Sequence, residues 1–159
     1  MPQGQHILRR SFLLLLCGLS ALPSGCSFFQ SLFPEPIPYY RPNAYLVETM
    51  GVYEAQQRLQ EILLHAIEPP IVQAEVTEDG FLYRTKQVIA GFATGRLLEN
   101  RVPFANAVYV RIYPNNVVLV QTSTKVVLAR LVFGNEPDTR LFVDLVTSFH
   151  TRYVQRSAQ

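Results

Sequence analysis

The pattern that most narrows the fold is a β-rich block, residues 71–133, alternating with period two except over 90–103 and enclosed by two stretches of helical periodicity. Upstream, Val52, Ala55, Leu59, Ile62, Leu63 and Ala66 recur every three or four residues, which predicts a helix over about 50–67. Glu54, Gln57, Arg58 and Glu61 take its other face, Thr49 is placed to cap it and Pro69-Pro70 to stop it. Inside the block, Ile71–Thr77 alternates with Val72, Ala74 and Val76 on one face, Asp79-Gly80 signals a hairpin, and Phe81–Val88 returns. Residues 90–103 are broken by Gly91, Gly95 and Pro103 and are expected to form a connection that could hold a short strand or helical turn. A three-stranded meander follows over Ala105–Tyr113, Val117–Thr122 and Lys125–Phe133, with Val108, Val110 and Ile112 opposite Tyr109, Arg111 and Tyr113. The last helix is expected at about 137–153, capped by Asn135, with Pro137 in its first turn and Phe142, Leu145, Val146, Phe149 and Tyr153 on its apolar face. Helix, about five antiparallel strands, helix: the fold class is α+β.

The N-terminus carries an address. Arg9-Arg10 precede an apolar run, Phe12–Leu22, of roughly 11 residues, too short to span a bilayer, which needs about 20. Small residues and then Cys26 follow. Leu22-Pro23-Ser24-Gly25-Cys26 resembles the lipobox of bacterial lipoprotein signal peptides, with Ser24 and Gly25 fitting and Pro23 departing where a large aliphatic residue is usual. The resemblance implies removal of residues 1–25, a diacylglyceryl thioether on the Cys26 sulfur and commonly an acylated amine. Two or more acyl chains anchor stably where one is marginal. An uncleaved anchor, or ordinary cleavage after Ala21 or Ser24, is the alternative. Arg9-Arg10-Ser11-Phe12-Leu13 also resembles the twin-arginine export motif. Ser27 lacks the Asp that retains many lipoproteins in the inner membrane, so the resemblance points to a bacterial envelope location, the outer membrane facing the periplasm where the source has one.

Residues 26–43 read as the lipidated cysteine and a tether. Pro34, Pro36, Pro38 and Pro42 exclude helix and central strand and favour an extended spacer. Phe28, Phe29, Phe33, Tyr39 and Tyr40 interleave them, some expected in the lipid headgroup zone and others packed back on the domain. Residues 44–156 form the single expected domain.

Charge and cysteine usage exclude several functions. Of 14 Lys and Arg, Arg9 and Arg10 precede Cys26, so a chain beginning at Cys26 balances its 12 acids and is neutral. A neutral domain without a basic cluster does not suit the phosphate backbone, and no nucleic-acid partner is expected. Both cysteines, Cys17 and Cys26, lie in the leader region, so the domain holds no thiolate metal site and no internal disulfide. His65 and His150 sit near predicted helix ends without ligand spacing. Glu75, Glu78 and Asp79 flank a turn, and no nucleophile elbow or phosphate loop is present. No cofactor, no metal and no catalytic residue is expected.

Val102-Pro103-Phe104 leading into three strands, then Leu131–Asn135 running into Thr139–Phe149, resembles the end of a pleckstrin-homology-like domain over roughly residues 71–154. The resemblance implies a partly open barrel closed by the last helix; an open sheet capped by two helices is the alternative. It also implies that the basic pair Arg84 and Lys86 on an early hairpin could hold a phosphorylated headgroup. Tyr109, Arg111 and Tyr113 could form an aromatic–basic stripe for a planar or sugar ligand, or an outer sheet face covered by other elements. The expected activity is a non-catalytic binding or scaffold module with an envelope protein partner, which could add a strand to an open sheet edge. The alternatives are a carrier of an apolar ligand between sheet and helix, and a small enzyme using His65 or His150.

Overall fold

The structure, a computed structural model, describes residues 40–159. The leader, Cys26 and residues 27–39 of the expected tether lie outside the described residues. The described part is α+β: two N-terminal helices, seven strands in two antiparallel sheets, and a C-terminal helix.

The first expected helix is in fact two. Helix α1 is Leu46–Met50 and α2 is Val52–Leu64, separated by Gly51 at φ 95°, which a helix cannot contain. Thr49 therefore lies inside α1, where its hydroxyl donates to the Leu46 carbonyl at 2.9 Å instead of capping. Ala66–Glu68 leaves the helix altogether and pairs with the last strand as β1. Strand β2 (Ile71–Val76) keeps Ile71 buried and turns Val72 outward, because the ladder slips between Ile71 and Gln73. Ala74 and Val76 still pack on the core as the alternation predicted.

Strand β3 is Gly80–Ile89. The expected connection after it is the longest strand, β4 (Phe92–Pro103), which pairs with β3 on both sides of a bulge at Thr94–Arg96. A single helical turn, Phe104–Asn106, precedes β5 (Tyr109–Tyr113), so that strand starts later than the alternation suggested. The meander then runs as expected through β6 (Val117–Gln121) and β7 (Val127–Phe133). The sheets have the orders β1-β7-β6-β5 and β2-β3-β4 and do not close into a barrel. Seven strands replace the five counted from the sequence, β1 and β4 being the additions.

Helix α3 (Glu136–Ser157) begins where predicted: Asn135 accepts from the Asp138 N–H at 2.8 Å. Phe142, Leu145, Val146 and Phe149 are buried. Phe149 stacks on Phe104 at 4.6 Å, and Phe142 meets Phe81 edge-on at 5.9 Å and Phe133 at 5.2 Å. These rings join α3, both sheets and the helical turn into one core. Ser148, also buried, accepts the Val47 N–H at 2.9 Å and fastens α1 to α3. Tyr40 is one of the aromatics that pack back on the domain: its hydroxyl donates to Asp144 Oδ1 at 2.5 Å, beneath the Arg140 guanidinium. No described helix is long and apolar enough to cross a membrane.

Candidate functional site

The β3–β4 ribbon has a buried root and a bare tip. At the root Phe81, Tyr83 and Thr85 face the core, and burial raises the Tyr83 phenol pKa. Their neighbours Leu82, Arg84 and Lys86 face outward, because side chains alternate along a strand. Register sets Leu82 opposite Arg101, Arg84 opposite Glu99 and Lys86 opposite Leu97. Arg84 is fully engaged there: its guanidinium donates to Glu99 at 2.8 and 3.0 Å and to Gln73 at 3.0 Å. Lys86 has no ion pair among the described residues.

Beyond Lys86 the two strands leave the core and continue as a two-stranded arm. Val88 pairs with Ala93 and Ile89 with Phe92, across a two-residue turn with Ala90 at φ 50° and Gly91 at φ 85°. Positive φ at both central residues matches the twist of a hairpin. The arm is apolar on both faces. Exposure is 59% at Val88, 58% at Ile89, 77% at Phe92, 45% at Leu97 and 48% at Leu98. The only charged side chains from Lys86 to Leu98 are Lys86 and Arg96, both positive. The nearest acid, Glu99, is held by Arg84 and lies 3.9 Å from Arg101. A contiguous exposed apolar element of this kind marks an interaction surface more often than scattered surface leucines do.

The other sequence candidates fall elsewhere. Tyr109, Arg111 and Tyr113 lie at alternate positions of β5, on the other sheet from Arg84 and Lys86. Arg111 lies over the Tyr109 ring at 5.0 Å, an internal cation–π contact. β5 is the edge of its sheet and pairs among the described residues with β6 alone.

His65 Nδ1 lies 3.1 Å from Asp138 Oδ2, joining the end of α2 to the start of α3. His150 Nδ1 lies 2.7 Å from the Phe104 carbonyl, which can only accept, so this nitrogen carries the proton. Both imidazoles thus serve as ties between elements. Of the carboxylates at the first hairpin, Glu78 is ion-paired with Arg156, while Glu75 and Asp79 border a depression of about 340 Å³ with Phe81, Leu82 and Arg101. A second depression of about 370 Å³ is bordered by Gln60, Leu64, Val72, Leu82 and Arg84. Among the described residues no three His, Cys, Asp or Glu side chains come together as metal ligands.

The sequence reading missed the arm. Its signal was present: apolar pairs flank Ala90-Gly91 on both sides, but the turn lacks the Asn-Gly or Asp-Gly that usually advertises a hairpin. No protein-family model matches the chain, and no curated protein or solved structure matches it.

Proposed function

We propose that the chain is a lipoprotein of the bacterial envelope, tethered through acylated Cys26, that works as a non-catalytic binding or scaffold module. The observation that carries the binding role is the β3–β4 arm, which holds five large apolar side chains in solvent on a rigid root. Leaving such surface in water is unfavourable, and a partner that covers it recovers the cost. The tether rests on the lipobox resemblance at Leu22–Cys26 and places the domain at a membrane surface, in the periplasm-facing leaflet of an outer membrane where one exists. The open side of β5 is a second place where a protein partner could add a strand.

The membrane-extracted chain is expected to begin at Cys26 with acyl mass, lost in Cys26→Ser. A photoreactive residue in place of Phe92 is expected to give adducts in the native envelope. The same residue in place of Tyr53, 73% exposed on α2, is expected to give none. An unmodified mass removes the tether; equal labelling at the two positions removes the arm as the binding surface.

A further inference from the structure

We infer that the β3–β4 arm enters a lipid bilayer, its apolar tip lodging at the boundary between headgroups and acyl chains and Lys86 and Arg96 meeting anionic headgroups. The inference deepens the tethered reading above by naming the arm's partner as the membrane surface itself.

Two observations favour lipid over a protein groove, and the backbone sets the depth. The arm is apolar on both faces: Ile89 and Phe92 pair on one side of the ribbon, Val88 and Ala93 on the other, and Leu97 and Leu98 point oppositely. A protein docking on one face leaves the other in water, whereas a bilayer receives both. The backbone limits the depth. Pairing joins Val88–Ile89 to Phe92–Ala93 across a two-residue turn, but Thr94–Arg96 bulge out of the ladder and the outer edge of each strand is open among the described residues. Open peptide groups are what the hydrocarbon core excludes most strongly, so the tip rests at the hydrated boundary between headgroups and acyl chains.

The second observation is charge and its position. A strand rises about 3.3 Å per residue, so Lys86 stands roughly 13 Å from the turn. An interfacial element buries its apolar part about 5–10 Å below the headgroup boundary. With Val88–Ala93 at that depth, Lys86 and Arg96 reach the phosphate layer. Neither is ion-paired among the described residues, and no acid lies between them to repel anionic lipid. Arg84, one step nearer the core, is held by Glu99 and Gln73 and takes no part.

The chain contains no tryptophan, which makes the test direct. The full chain carrying Phe92→Trp is reconstituted into vesicles of phosphatidylethanolamine and phosphatidylglycerol, with and without bromine on the acyl chains. Tyr53→Trp is the reference, and the intact mass of each preparation reports Cys26 acylation. The Phe92→Trp indole is expected to shift to the blue and to lose roughly half or more of its emission to bromine. The Tyr53→Trp indole stays unquenched. Replacing Lys86 or Arg96 by Gln lowers the insertion equilibrium roughly fivefold per charge on anionic vesicles and leaves it unchanged on phosphatidylcholine.

An acylated chain whose Phe92→Trp indole is not quenched overturns the inference and leaves the tether standing. A quenched indole on an unacylated chain does the reverse. Photo-crosslinking from position 92 in the native envelope that yields protein adducts and no lipid adducts identifies a protein, not lipid, as the occupant and overturns the inference too.

Discussion

The phenol of Tyr40 shows how one side chain ties the start of the described chain to the domain. Burial raises its pKa most, and the hydrogen bond to Asp144 and that carboxylate's charge raise it further, against the opposing effect of Arg140. The folded state therefore holds the phenol neutral. Below the ordinary value of 10.0 the folded and unfolded chains are both protonated and the contact contributes fully. As pH rises above that value the unfolded chain ionises first, and stability is lost toward the folded-state pKa. Tyr40→Phe removes the bond, so it is expected to lower stability at pH 7 by about 1–2 kcal/mol and to flatten the loss above pH 10. Urea midpoints of the two proteins from pH 7 to 11 check this, with buried Tyr83 contributing equally to both. At this scale the sequence was partly legible. Asn135 caps α3 as its position before Pro137 predicts, because a cap is a local geometry. Tyr40 was open between lipid and domain, because its partner lies 104 residues away.

The β3–β4 ribbon depends on a close approach at its base. Gly80 lies opposite Pro103, and a methyl group on Gly80 would stand 2.5 Å from the Val102 carbonyl oxygen and 2.9 Å from Pro103 Cα. These are backbone atoms that must move as a unit with β4. Gly80→Ala is expected to cost about 1–3 kcal/mol, read from chemical denaturation, as overpacking of a rigid site does. Element prediction succeeded where burial imposed a period and failed where it did not. β6, β7 and α3 each put one face on the core, and their patterns show it. β4 escaped because much of it runs along the exposed arm, where no core selects alternate residues. β1 escaped because Ala66 continues the helical stripe of α2, and only β7 lying alongside draws Ala66–Glu68 into a ladder. The break at Gly51 was visible as a residue, but the helical stripe on both sides outweighed it.

Across the whole molecule, Phe142 touches Phe81 of one sheet and Phe133 of the other and so holds α3 to both. Phe142→Ala is expected to cost about 3–5 kcal/mol. Amide exchange gives the matching signature: protection in β6, β7 and α3 falls in step with that loss. The arm amides from Val88 to Arg96 exchange early and equally in both proteins, because they open locally without the core. The sequence by itself determined the fold class, the antiparallel meander, the start of the last helix and the neutral charge of a chain beginning at Cys26. Those properties follow from period, capping and composition, which act over a few residues or over none in particular. Only the tertiary structure decided that the strands divide into two sheets, that Arg84 is consumed by Glu99 while Lys86 is left bare, and that both histidines are ties between elements. It also decided that Val88, Ile89, Phe92, Leu97 and Leu98 stand outside the core. The physical reason is that an apolar residue states a preference for burial, and whether it finds burial depends on where the core ends.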